Sequence, residues 1–426
     1  MILLLRQSIR VWHLRGISSN DFAIIANATG VAELSLRHFT TYIRVKKYIL
    51  ILLLVLSPLG LFAQQENDTI DRQTDDFVTV SLVVCDPTEV LYSTLGHAAL
   101  HLQCPTYDLD YVFTYESEGV RNKIWTFLKG DLKMGMYAFP MPLFKDIYRY
   151  SGRGVREYKI NLTPLQKQNL WRIMDNHVAE GANIPYDYFH RGCAKSVVQV
   201  IHEAIGKNTI RYAPWPEKYT KHTMRELACS FVDRSPWYEF ISYFLIGAEA
   251  DENCPCEQKI IVPTDLVEVW LQATFDSGKP VLDSDPRVLL EATQHNEGTW
   301  CTPLLVSLLL LLLAFLPWKG VDYALLALYT LIGAGMTYLI LFSNLPCTDW
   351  NWLIIPFNIL PAIFWRWRKY WALPYAIILL VWCLVMTGQL LWGHVLIDWL
   401  HVALALSFCI VIAKQSPFLQ SLHSKM

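Results

Sequence analysis

Tyr186-Asp-Tyr-Phe-His-Arg-Gly-Cys193-Ala-Lys-Ser-Val-Val-Gln-Val-Ile201 is the stretch around which the rest of the chain is organised. An aromatic and polar run ends at Gly192-Cys193. An apolar stripe follows at helical spacing through Val197, Val200, Ile201, Ala204 and Ile205. The pattern predicts a buried helix whose first turn carries Cys193. Free N–H groups and the positive end of the helix dipole favour thiolate there. A nucleophilic thiolate also needs a base, usually a His near in space but far in sequence. Tyr92-Ser-Thr-Leu-Gly-His97-Ala-Ala-Leu-His101-Leu offers one, upstream. The bland alternatives are a small buried hydrophobe at Cys193 and a hydrogen-bonded structural imidazole at His97.

Working outward, the chain has 426 residues, is 53% hydrophobic and carries a formal net charge of −2. No extended basic patch is interleaved with aromatics, which argues against a nucleic-acid partner. Residues 1–44 show no period. Arg44-Val-Lys-Lys47, the apolar run Tyr48 to Phe62 and Ala63-Gln-Gln have the order of a secretory signal. The start is therefore expected near Val45, from an alternative start codon; a genuine extension with an uncleaved anchor is the other option. Residues 64–76 form a polar linker, and the chain beyond it is expected to be exported.

The exported part, 77–300, begins with strands. Phe77 to Val84 alternates and is β-branched; Leu91 to Leu102 is a second strand with His97 at its centre. Asp110 to Tyr115, Met134 to Phe139 and Gly154 to Ile160 continue the series. Lys123 to Gly130 is a short helix. Thr163-Pro164 with Gln166 caps a helix running to about Val178. Strands followed by helices that carry the thiol make an α+β domain.

From Thr302 five apolar segments succeed one another: Thr302 to Trp318, Asp322 to Ser343, Trp352 to Trp365, Trp371 to Trp392 and Val395 to Ala413. Most are about long enough to span a bilayer, the third being short and containing two Pro. Lys319, Arg366-Arg368-Lys369 and Lys414 all fall on one side, as the positive-inside rule requires. Residues 301–414 are thus expected to be a five-span membrane domain, with 415–426 a cytoplasmic tail. Asn351, His394 and Asp398 sit near the outer turns, where ionisable and polar groups are candidates for function or plain interfacial residues.

Around the Cys193–His97 pair, His101 shares a strand face with His97, Asp110 could orient an imidazole, and Tyr115 could donate to an oxyanion. The solvated face of a strand explains them as well. The exported part and its boundary residue 301 hold seven cysteines, at 85, 104, 193, 229, 254, 256 and 301. With Cys193 free, three disulfides are possible, Cys85 with Cys104 among them. Cys254-Pro-Cys256 lacks a second Cys/His pair nearby, so no metal is assigned, and no cofactor.

The ordered set Tyr92-Ser-x-x-Gly-His97-x-x-Leu, Asp110-x-Val-Phe-x-Tyr115, Gly152-Arg153-x-Val155, Leu162-Thr163 and Tyr186-Asp-Tyr-Phe-x-x-x-Cys193-Ala resembles the Lnb-type periplasmic domain. This belongs to the permuted branch of the NlpC-type papain-like fold, with His before Cys, as in the lecithin:retinol acyltransferases. Phe342-Ser-Asn-x-Pro346 and Asn351-Trp-Leu-Ile-x-Pro356 resemble the membrane part attached to it in Bacteroidota-type lipoprotein N-acyltransferases. The resemblance implies a bacterial inner-membrane enzyme with its main domain in the periplasm. It implies a phospholipid acyl donor, a Cys193 thioester and a diacylglyceryl lipoprotein acceptor. Gly192 stands where the family usually has Asn, Lys195-Ser196 where it often has Thr-Arg, and His101 where it usually has a basic residue, commonly Arg. An envelope cysteine amidase or peptidase acting on cell wall, and a non-catalytic envelope assembly protein, are the rival readings.

Overall fold

The fold is that of a computed structural model. It describes residues 78–88, 94–117, 123–181, 183–187, 189–206, 209–232, 235–293, 300–345 and 350–418. The expected extension, signal and linker (1–76), and residues 419–426 of the tail, lie outside the described residues.

The chain lays down β1 (Thr79–Cys85), β2 (His97–Cys104) and β3 (Leu109–Ser117), then α1 (Ile124–Lys129), β4 (Lys133–Pro140), α2 (Met141–Tyr150) and β5 (Val155–Lys159). The helix α3 (Pro164–Glu180), the short β6 (Ile184–Pro185) and α4 (Cys193–Ile205) come next. β7 (Ile210–Arg211), α5 (Glu217–Lys221), α6 (Met224–Phe231), α7 (Pro236–Leu245), α8 (Pro263–Leu271), β8 (Thr274–Phe275) and β9 (Arg287–Leu290) complete the α/β part. Seven strands form one antiparallel sheet in the order β6-β4-β3-β2-β1-β5-β9.

β1 is buried at every residue but Thr79 because both sheet faces are covered. Val80, Leu82 and Val84 face a core shared with Leu170, Val197, Val200, Leu266 and Trp270 of α3, α4 and α8. Val83 and Cys85 face the other way, onto Phe144 and Tyr148 of α2. The expected capping box of α3 forms: Gln166 N donates to Thr163 Oγ1 at 3.3 Å and Thr163 N to Gln166 Oε1 at 2.9 Å. The expected Cys85–Cys104 disulfide does not form. Cys85 pairs with His97 at one end of β1–β2. Cys104 lies seven residues further along β2, on the opposite face and about 23 Å away.

The C-terminal part departs from five spans. The helices are α9 (Pro303–Phe315), α10 (Lys319–Phe342), the single turn α11 (Leu360–Ile363), α12 (Arg368–Leu391) and α13 (Trp399–Ala413). Among the described residues only α10 and α12 are long and apolar enough to cross a bilayer. At 1.5 Å per residue, the 13 residues of α9 and 15 of α13 reach about 20 and 22 Å, short of a hydrocarbon core near 30 Å. The expected third span is a folded loop of short turns. Its Asn358 Nδ2 donates to the carbonyls of Ile354 and Ile355, capturing backbone groups that a helix would have used. Asn358 also fits against Gly333 of α10, where a Cβ would come within 2.5 Å of the Asn358 carbonyl oxygen.

The two parts belong to one compact unit, Asp76–Met426. Lys414 Nζ bonds to Asp322 Oδ1 at 2.9 Å near the start of α10. At the other end of α10, Asn344 N bonds to Lys129 O of α1 at 2.9 Å. The basic end of the bundle is thus opposite the end that meets the α/β part. The outer faces of α9 and α12 leave Leu304, Leu308, Leu312, Ile377, Val381 and Leu384 exposed. Outward apolar stripes of this kind on each helix suit lipid.

Candidate active site

Cys193 is the first residue of α4, behind an extended Gly192. The Val197-Val200-Ile201 stripe seats α4 on the sheet and delivers its N-terminus to the start of β2. Cys193 is half-buried, and the N–H groups of Ala98, Ala194 and Cys193 itself act on its Sγ. Ala98 directly follows His97. Burial pushes the Cys193 thiol up; these N–H groups and the charge of Arg153 pull it back without winning, so it stays above its ordinary value. The resting group is a thiol, and reaction requires a proton acceptor.

His97 begins β2 instead of lying mid-strand. Thr94 and Leu95 form a turn, and Gly96 takes a left-handed φ of 80°. A Cβ on Gly96 would sit 2.8 Å from the Cys85 carbonyl oxygen, so both backbone sign and space require glycine. Gly96→Ala is expected to lower the thermal midpoint, with strain of about 1–2 kcal/mol from the left-handed backbone alone. Cys193-dependent activity should fall further as His97 shifts. An unchanged midpoint and unchanged activity would show that the turn does not hold the imidazole.

His97 Nε2 is hydrogen-bonded to Thr114 Oγ1 on β3. Burial, then the Arg153 charge, depress the imidazole to about 3, so it is neutral at physiological pH. Thr114 is fully buried, and the β2–β3 register, Ala99 opposite Thr114, puts it on the His97 face. Sequence alone offers no register, so Thr114 carried no signal. Arg153 was visible only as part of a motif. It is 8% exposed; Nε donates to the Asp86 carbonyl at 2.7 Å, and the guanidinium lies 4.7 Å from the centre of the Tyr148 ring. Its charge acts on His97, Cys193, Cys85 and Tyr148 alike. Glu116, near the end of β3, is pushed up to about 7 by burial.

The remaining sequence candidates are placed elsewhere. His101 is buried between two carboxylates, Nδ1 to Glu157 at 2.5 Å and Nε2 to Asp110 at 2.7 Å. Burial pushes this imidazole down, but the two carboxylates outweigh it and hold it above its ordinary value. Burial pushes Glu157 up, and its bond to His101 brings it below the usual range. His101 therefore stabilises below its unfolded value near 6.5 and loses this as pH rises; Glu157 stabilises above about 4.5 and loses it as pH falls. Glu157→Gln is expected to cost about 2 kcal/mol near pH 6 and clearly less at pH 9, by thermal or denaturant unfolding. A penalty that does not change with pH would refute the ion pair. Asp110 is thus a partner of His101 and not of His97. Tyr115 Oη is engaged with His177 Nδ1 at 2.6 Å.

Asn351 is buried and structural. Its Nδ2 donates to the carbonyls of Tyr243 and Ile246, and its Oδ1 accepts from Leu353 N. His394 is exposed after a left-handed Gly393, and Asp398 is the N-cap residue of α13. Leu95, two residues before His97, and Phe189, four before Cys193, pack in one apolar cluster with Tyr329, Trp382 and Phe408 of α10, α12 and α13. The loops that carry the pair are therefore rooted in the apolar helical part.

These features define an α+β domain with a thiol at a helix N-terminus, set beside a strand that begins with histidine. Residues 66–228, with His97 and Cys193 inside them, match the family model of the Lnb N-terminal periplasmic domain. No curated protein and no solved structure matches the chain.

Proposed function

We propose that this protein is a membrane-bound N-acyltransferase. Cys193 Sγ attacks a phospholipid ester carbonyl; a C–S bond forms, the C–O bond breaks, and the thiol proton passes through His97 to the leaving glyceryl oxygen. The α-amine of a diacylglyceryl-cysteine lipoprotein then attacks the thioester. A C–N bond forms, the C–S bond breaks, and the amine proton returns through His97 to the thiolate. Thioesters form from esters and are readily aminolysed, which suits a cysteine to this route.

The observation that carries this reading is the rooting of Leu95 and Phe189 in the apolar helical cluster. A wall hydrolase needs only an anchor; two lipid-bound substrates need the thiol beside the bilayer. Basic residues gather at the end of the helical bundle that lies opposite the α/β part, and the positive-inside rule applied to that end supports an α/β part in the periplasm. Support for a neutral acceptor comes from His97, depressed to about 3. The test is mass spectrometry of a native lipoprotein's N-terminal peptide from cells with the protein, without it, and with Cys193→Ala. Loss of the amide-linked chain in the last two is expected. Identical acylation in all three would reject the reading, and release of wall fragments instead would favour the amidase or peptidase.

A further inference from the structure

A buried cation whose charge acts on the thiol has no hydrogen-bond partner at one of its donors. Arg153 Nη2 is buried and unpartnered among the described residues, although Nε is bonded to Asp86 O and the guanidinium plane rests on Tyr148. The carboxylate of Asp86 is engaged elsewhere, its Oδ1 taking Arg156 Nη1 at 3.1 Å. An orphan donor on a buried charge is costly, and the ligand that relieves it is an anionic oxygen. Tyr148, through its ring, and Asp86, through its carbonyl, fix the guanidinium, so the donor is held in place before any ligand arrives.

We propose that Arg153 Nη2 binds a phosphodiester oxygen of the acyl donor, selecting glycerophospholipids over neutral glycerides. The inference rests on the acyl-transfer reading for the identity of that donor. It explains why a cation is kept within influence of both His97 and Cys193. An anion on Nη2 offsets the charge that depresses His97, so the imidazole gains basicity when donor is bound.

The test uses the full chain in maltoside micelles, with Cys193→Ala to stop chemistry. The probes are a short-chain diether phosphatidylglycerol and the matching diether glycerol, which lacks the phosphate; binding is read by native mass spectrometry. The phosphodiester is expected to bind about 10- to 100-fold tighter. Arg153→Gln should abolish that preference while leaving diether glycerol binding unchanged. Equal preference with and without Arg153 overturns the proposal. If Arg153→Gln does not fold, by thermal unfolding, Arg153→Lys decides: a several-fold loss of preference supports the fork, and none overturns it. Formation of acyl-Cys193 from diester phosphatidylglycerol is measured separately on the otherwise native chain. No adduct with an Arg153-dependent preference sinks the acyl-transfer reading and keeps this site; an adduct that forms equally in Arg153→Gln does the reverse.

Discussion

Cys193→Ser in the full-length protein is expected to lower acyl transfer by roughly four orders of magnitude or more, and His97→Gln by about 10²- to 10⁴-fold. The serine keeps the position, so the N–H groups of Ala98, Ala194 and residue 193 still converge on its oxygen. It fails because a hydroxyl is far harder to deprotonate, and because the oxyester it would form resists aminolysis. The His97 effect follows from the thiol itself. Burial keeps Cys193 above its ordinary value, so the helix N-terminus does not ionise it unaided. Alkylation of Cys193 by iodoacetamide should therefore keep rising with pH past 9. His97 is neutral above about 3, so protonation of His97 itself sets no acid limb until the medium approaches that value. Transfer that survives in Cys193→Ser at more than a few per cent would remove the covalent route. An alkylation plateau near neutral pH would show a thiolate already formed.

The sequence signals that survive in the structure are local ones. Cys193 at the head of a helix follows from Gly192 and the 3.6-residue stripe behind it, and α4 begins where that stripe predicts. The α3 capping box needs only Thr163, Pro164 and Gln166. What sequence does not carry is pairing across the sheet. Arg153 reaches the site because Asp86, just past β1, meets the chain just before β5, with Asp86 N donating to Gly154 O at 2.9 Å. Thr114 reaches His97 through register alone. Register also brings Asp110 of β3 and Glu157, two strands away from β2, to His101 and makes the three a structural triad. The apolar segment at Trp352 to Trp365 fails as a span for a polar reason: Asn358 binds two backbone carbonyls and Tyr375 Oη at 2.9 Å, folding it against α10.

The second large effect is expected at the junction between the two parts. Arg225 of α6 is 1% exposed. Its Nε and Nη2 grip both oxygens of Asp251, at 2.7 and 2.9 Å, while Nη1 donates to Ile246 O and Nη2 to Gly247 O, each at 2.9 Å. Asn351, from the apolar helical part, donates to the same Ile246 carbonyl at 2.9 Å. One oxygen therefore accepts from both parts of the chain. Arg225→Met leaves the Asp251 carboxylate without its partner, takes one donor from each of the Ile246 and Gly247 carbonyls, and is expected to cost about 3–5 kcal/mol. Asn351→Leu loses three bonds and is expected to cost about 2–3 kcal/mol. Because Ile246 O keeps one donor in either single variant and none in the double, the double should exceed the sum by about 1 kcal/mol. Additive penalties in thermal or denaturant unfolding would show that the shared carbonyl does not couple them. Function adds an independent readout. The loops of His97 and Cys193 are seated in the same apolar cluster as Tyr243 and Ile246. Loosening that seat should reduce transfer between lipid-bound substrates by tenfold or so. Alkylation of Cys193 by a small water-soluble reagent should stay within about twofold, since the thiol's own N–H contacts to Ala98 and α4 are untouched. Equal losses in both assays would place the damage in the α/β part itself and not in its seating on the apolar helices.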